Sequence, residues 1–240
     1  MSLRDIPSDI KRSVRRESYY GCVVCGTPII EYHHIEPYHI VKCHEVHNLV
    51  ALCPNHHRKA GNGTYSKEYV YKMKQNPFNK NRDNIRDDFM LGDYDKFKFK
   101  IGSNYYENIE TIIMVKGKPL LEFKKDEFGN VAMNALFYDS RNDLIAEIKN
   151  NEWITYLKPK LWDVTYSGGK LKINSDRKKV LLEFRPNPEE QSIDLKAKLY
   201  YQGNKIDITP DVTSINADNE FGIHFSNCTI ADAKVAFFIE

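Results

Sequence analysis

Cys22-Val-Val-Cys25-Gly26, Tyr32-His33-His34-Ile35-Glu36-Pro37 and His47-Asn48-Leu49-Val50-Ala51-Leu52-Cys53-Pro54-Asn55-His56-His57-Arg58-Lys59 follow one another in a single short stretch. Two thiols three positions apart, with a glycine relieving the turn, can grip one tetrahedral ion, and Cys53-x-x-His56 offers a second pair at the same spacing. Together they form the soft or borderline donor set that Zn²⁺ prefers. Such a zinc is expected to be structural, because its binding free energy is also folding free energy in a domain with a small core. Cysteine spacing alone is explained equally well by a zinc ribbon with no catalysis nearby.

Working outward, residues 29–35 read as a strand stopped by Pro37. A loop to His47 and a second strand over 48–52 follow. Cys53-Pro54 then opens a helix over about 55–60. Upstream, Ser8-Asp9 can cap a short basic helix, with Ile10 and Val14 on one side and Lys11, Arg12, Arg15 and Arg16 over the rest. Downstream, Gly61-Asn62-Gly63 breaks the helix, and a second polar helix is expected over 66–75, before Asn76-Pro77. Residues 76–95 read as a linker. From residue 97 onward, short alternating or β-branched stretches recur every 8 to 12 residues or so, the pattern of an all-β sandwich, barrel or solenoid. Phe128-Gly129-Asn130, Ser167-Gly168-Gly169 and Gln202-Gly203-Asn204 mark turns, and no repeat is clear enough to indicate a propeller. The expected fold class is therefore α+β: a zinc-bearing domain over 1–75, a linker over 76–95 and an all-β domain over 96–240.

Composition agrees with a folded chain. Its 240 residues are 41% hydrophobic, enough for a real core, and 15 Tyr with 12 Phe tilt it toward β structure. No apolar run approaches the roughly 18 residues of a membrane span, and Asp5 and Asp9 stand where a signal peptide would be apolar, so a cytoplasmic protein is expected. Net charge is only +2, but the basic excess lies in the first 90 residues, as do seven of the eight His and four of the five Cys. An odd cysteine count argues for metal ligation over disulfides.

The quoted residues, with the approach segment from Ile6-Pro7 to Arg16 and Tyr20-Gly21-Cys22, resemble the HNH (ββα-metal) endonuclease motif of the zinc-bearing type. The resemblance covers about residues 6–60 and does not extend into the C-terminal half. It implies a metal-dependent DNA endonuclease, plausible in restriction or defence. His34 would be the general base, an imidazole whose ordinary pKa near neutrality suits the task. His33 and His57 would bind the catalytic divalent cation, Mg²⁺ or Mn²⁺, with Ni²⁺ or Zn²⁺ as alternatives. Asn48 would hold the long loop by backbone hydrogen bonds and so orient His34. Two departures stand out. Many relatives carry Cys at the position of His56, which leaves the adjacent His56 and His57 open to exchange of roles. Helical geometry favours His56 for zinc, because it shares a face with Cys53. At the position of His33 an Asp is common, and a neutral ligand there leaves the metal site more cationic and softer.

Arg12, Arg15, Arg16, Arg58 and Lys59 are candidate DNA phosphate contacts, set against the plainer reading of an exposed basic face. His39, His44 and His47 read as solvated loop histidines. Cys43 reads as a free thiol and a fallback ligand, and His224 and Cys228 as structural. The aromatic C-terminal half would recognise a DNA feature or assemble protomers, since a homo-oligomer would let two single-strand-nicking sites meet two strands. The competing reading is a non-catalytic zinc-stabilised DNA-binding or adaptor module.

Overall fold

The computed structural model describes residues 5–158, 161–187, 189–216 and 222–240. The chain is mixed α+β and mostly β, and its contacts divide it into two compact units. The first comprises Met1–Ile85 together with Asp163–Ser167, and the second Arg86–Trp162 with Gly168–Glu240. No helix among the described residues is long and apolar enough to cross a membrane.

The first unit is built around a short strand pair. Strand β1 (Glu31–His34) runs antiparallel to β2 (Leu49–Leu52), with His34 opposite Leu49 and His33 opposite Val50. Every residue of β2 is buried, which explains why Leu-Val-Ala-Leu is continuously apolar: both faces of the strand are covered. On one face Leu49 and Ala51 pack with Val14 of helix α1 (Ser8–Glu17) and with Ile6, Ile10 and Val46. On the other, Val50 and Leu52 join Cys22, Val23, Ile35, Cys53 and Val70. The α1 helix begins at Ser8 after Pro7, and no side chain caps it, so the expected Ser8-Asp9 cap does not form.

The link between the strands contains the single-turn helix α2 (Tyr38–Val41), ended by Lys42 in the left-handed region (φ 50°), and a 3-10 turn over Val46–Asn48. Helix α3 (Pro54–Gly61) follows β2, with Pro54 in its first turn, where a missing N–H costs nothing. In α4 (Lys67–Gln75) the Ser66 side chain accepts a hydrogen bond from the Tyr69 N–H. The segment expected as a linker carries a 3-10 helix (Phe78–Asn81) and strand β3 (Asn84–Asp88), which spans the division between units. Asn79 is buried there and donates to the Gly26 carbonyl at 2.9 Å, so this segment braces the cysteine turn.

The described elements of the second unit are all strands. These are β4 (Lys100–Ile101), β5 (Asn104–Glu107), β6 (Thr111–Val115), β7 (Lys118–Lys125), β8 (Val131–Tyr138), β9 (Leu144–Lys149) and β10 (Glu152–Tyr156). After β11 (Asp163–Ser167), which clusters with the first unit, come β12 (Lys170–Asp176), β13 (Lys179–Asn187), β14 (Ser192–Tyr201), β15 (Asn204–Ile208), β16 (Thr213–Asn216), β17 (Gly222–Phe225), β18 (Thr229–Ala231) and β19 (Val235–Ile239). One sheet runs β19-β6-β7-β8-β9-β10 and another β12-β13-β14-β15-β16-β17, with β8 packed against β14. Within these sheets successive strands from β6 to β10 and from β12 to β17 are antiparallel neighbours, whereas β19 joins β6 in parallel. The two meanders share a short sequence: Leu120-Leu121-Glu122-Phe123 in β7 and Leu181-Leu182-Glu183-Phe184 in β13, each with both Leu and the Phe buried.

Candidate functional site

Cys22 and Cys25 sit on a tight turn closed by the Gly26 N–H donating to the Cys22 carbonyl at 2.8 Å. Gly26 has φ +81°, and a Cβ there would lie 2.4 Å from Asn79 Oδ1, so the turn requires glycine. Cys53 immediately precedes α3 and His56 lies in its first turn. The Sγ atoms of Cys22 and Cys53 are each 3.3 Å from His56 Nδ1, and Cys25 Sγ is 3.8 Å from Cys53 Sγ. All four donor atoms lie within 4.8 Å of one another. Zn–S bonds of ~2.3 Å and Zn–N bonds of ~2.0–2.1 Å give tetrahedral edges of about 3.6–3.8 Å, close to these separations. The group could hold a metal ion and is compatible with structural zinc. Burial pushes the Cys25 thiol up to about 12 despite a backbone hydrogen bond at Thr27, and neighbouring Cys22 and Cys53 add to the rise. Three thiolates crowd unfavourably until a cation joins them.

Successive side chains of β1 point to opposite faces, so Glu31 and His33 share one face and Tyr32 and His34 the other. On the first, His33 meets His57 of α3 edge to face, ring centroids 5.0 Å apart and planes at 88°. Glu31 Oε2 lies 3.2 Å from His57 Nδ1. Imidazoles sharing a cation at ~2.1 Å, with adjacent coordination positions, have centroids about 4.6–5.3 Å apart, so this pair fits a shared ion. A carboxylate on Nδ1 fixes the tautomer that leaves Nε2 as the ligand nitrogen. Glu31 was not singled out from sequence, although its position two residues before His33 on a strand put it on the same face. The adjacent histidines of α3 thus part company, His56 toward the cysteines and His57 toward His33.

On the second face, His34 Nε2 lies 3.0 Å from His44 Nδ1, and Tyr38 stacks on His44 with centroids 4.8 Å apart and planes at 13°. Buried Asn48 clamps the start of the loop: its Oδ1 accepts from the Glu36 N–H at 2.7 Å and its Nδ2 donates to the Glu36 carbonyl at 2.9 Å. Burial lowers His33 to about 4, with His57 and His34 adding to the effect. Burial and His44 lower His34, and burial and Lys59 lower His56. These rings are therefore neutral near pH 7, as a ligand or a base must be.

Arg16, Arg58 and Lys59 are exposed, and Arg12 is half-buried. Arg15 is not free to meet a phosphate. Its Nε donates to Asp163 Oδ1 at 2.9 Å, its Nη2 to Asp163 Oδ2 and its Nη1 to the Tyr32 hydroxyl. Among the loop residues, His39 and His47 are exposed, and His47 Nδ1 lies 3.0 Å from Glu45. Cys43 lies outside the metal group, whose cysteines are Cys22, Cys25 and Cys53. In the second unit His224 Nδ1 pairs with Ser214 Oγ at 2.8 Å, and Cys228 Sγ donates to Asn104 Oδ1 at 3.1 Å. No family model, no curated protein and no solved structure matches this chain.

Proposed function

We propose that the chain is a metal-dependent DNA endonuclease of the HNH type, acting in the cytoplasm. In this reading β1, β2 and α3 form a ββα-metal unit and Cys22, Cys25, Cys53 and His56 hold a structural zinc. The observation that carries the reading is the perpendicular His33–His57 pair at 5.0 Å with Glu31 beside it, while His34 ends β1 on the strand's other face. His33 and His57, the latter oriented by Glu31, hold the second divalent ion, Mg²⁺ or Mn²⁺. When bound, that ion supplies charge against the phosphate and the departing 3′ oxygen. His34 takes a proton from water, whose oxygen bonds to phosphorus as the P–O3′ bond breaks, and the departing 3′ oxygen takes a proton from solvent. The products are a 5′-phosphate and a 3′-hydroxyl. Arg16, Arg58 and Lys59 contribute salt-sensitive, sequence-independent contacts to DNA phosphates. The strands of the second unit serve recognition or self-assembly. A purely structural zinc module would have no use for the Glu31–His57–His33 group, which favours the nuclease over the adaptor reading.

Cleavage of supercoiled plasmid, methylated and unmethylated, with Mg²⁺, Mn²⁺ or Ni²⁺ tests this. His34→Ala should keep its zinc and lose about 100-fold or more in rate, the scale of general-base catalysis. Equal cutting by wild type and variant would remove His34 from the role.

A further inference from the structure

We infer that His44 is a positioning residue for His34, selecting the tautomer in which His34 can accept a proton. The inference rests on reading His34 as the base and adds a residue to that site. His44 looks from sequence like a solvated loop histidine. The structure returns it to β1: the loop turns at Lys42, whose φ is 50°, and Asn48 ties the loop's start at Glu36. His34 Nε2 and His44 Nδ1 are then 3.0 Å apart, a hydrogen-bond distance.

A neutral imidazole carries one proton, so the bond has two forms. If His44 Nδ1 donates, His34 Nε2 spends its lone pair on that bond and the His34 proton resides on Nδ1. Neither nitrogen can then take a proton from water. If His34 Nε2 donates, Nδ1 keeps its lone pair and His34 is a competent base. The second form leaves a nitrogen of His34 free toward solvent, and it is the form assigned to the 3.0 Å contact here. His44 thus plays, without a charge, the orienting part that a carboxylate plays beside a catalytic imidazole. The near-parallel Tyr38 ring, 4.8 Å from His44, holds the acceptor in place.

Two substitutions in the full chain separate the hydrogen bond from the stack. His44→Phe keeps a ring for Tyr38 and loses the acceptor, whereas His44→Asn keeps an acceptor near the Nδ1 position and loses the ring. With supercoiled plasmid and Mn²⁺, we expect His44→Phe to lower kcat about 10–100-fold at unchanged KM, the usual weight of an orienting partner, and His44→Asn to recover most of that loss. Equal behaviour of the two variants, whether both active or both impaired, overturns the inference. A measurement on the wild type is independent of how the variants fold: with ¹⁵N-labelled histidine, the His34 ring should show its proton on Nε2, and a proton on Nδ1 overturns the inference. His34→Ala distinguishes the two levels. If it cuts like wild type, the base reading fails and the inference falls with it. If it is inactive while His44→Phe cuts normally, only the inference fails.

Discussion

Asp163→Ala should destabilise the first unit more than any change at its surface. Arg15 and Asp163 side chains are 11% and 14% exposed and meet through two parallel N–H···O contacts, while the third guanidinium arm reaches Tyr32. Burial works against the charged guanidinium, but the hydrogen bond to Asp163 and the nearby Tyr32 more than offset it, so the Arg15 pKa is raised. Removing the carboxylate leaves a buried cation with one neutral partner. Breaking a buried pair this way costs about 3–5 kcal/mol, and the residual exposure of both groups trims that to roughly 2–4 kcal/mol. For a unit of this size the melting temperature should fall by roughly 10–25 °C. Urea-dependent amide exchange at Leu49–Leu52, whose residues are fully buried, reports this unit alone. Arg15→Met with Asp163→Leu, which removes both charges, should recover much of the loss. A cost below about 1 kcal/mol for Asp163→Ala, or a double variant no better than the single, would refute the reasoning. Residues 1–90 alone lack Asp163, so that fragment should share the defect, and cleavage assays belong on the full chain.

Three further outcomes are expected. Cys53→Ser, which alters a buried member of the metal group, should drop zinc content well below one per chain and lower the melting temperature by roughly 10 °C or more, read by metal analysis and calorimetry. Asn48→Ala should cost about 2–3 kcal/mol in chemical denaturation, because both backbone groups of Glu36 lose their partner, and should slow cleavage through the loosened loop. With the second cation withheld, His33 contributes a pH dependence whose sign follows from its pKa of about 4 against the ordinary 6.5. Between those values the unfolded chain binds more protons, so stability is full above about 6.5, falls as pH drops and levels off near 4. His33→Gln should flatten that part of the stability curve, and an unchanged slope would place the lost protons elsewhere.

What the sequence made legible was local. The paired spacings Cys22-x-x-Cys25 and Cys53-x-x-His56 specify a donor set by themselves, and the step of about 100° between adjacent helical residues points His56 and His57 in different directions. The apolar run of β2 announces a strand covered on both faces. The less legible partners depend on chain path. His44 reaches His34 through a loop whose course is set by a left-handed Lys42 and a buried Asn48. Asp163 reaches Arg15 across 148 residues. Charge counting could not separate Arg15 from Arg16. Helical position offered a hint, since Arg15 lies on the Lys11–Ser18 stripe beside buried Val14 while Arg16 faces solvent. The polar composition of 76–95 read as a linker because its buried residues, Asn79, Ile85, Phe89 and Leu91 among them, are widely spaced among polar ones.

The two candidate metal groups are mechanically linked through α3. An eight-residue helix has too few hydrogen bonds to persist alone, so its position depends on what fastens it. Cys53 and His56 fasten its start to the cysteine turn, and His57 is the next residue. The 5.0 Å approach of His57 to His33 therefore depends on whatever occupies the Cys22–Cys25–Cys53–His56 group. On the proposed reading, a chain stripped of zinc loses the anchor of His57, the second histidine of the other group. On the same reading, supplying Mg²⁺ or Mn²⁺ should not restore cutting under that condition, whereas returning Zn²⁺ first should. The order of metal addition thus separates a fastening ion from a reacting one without altering a residue.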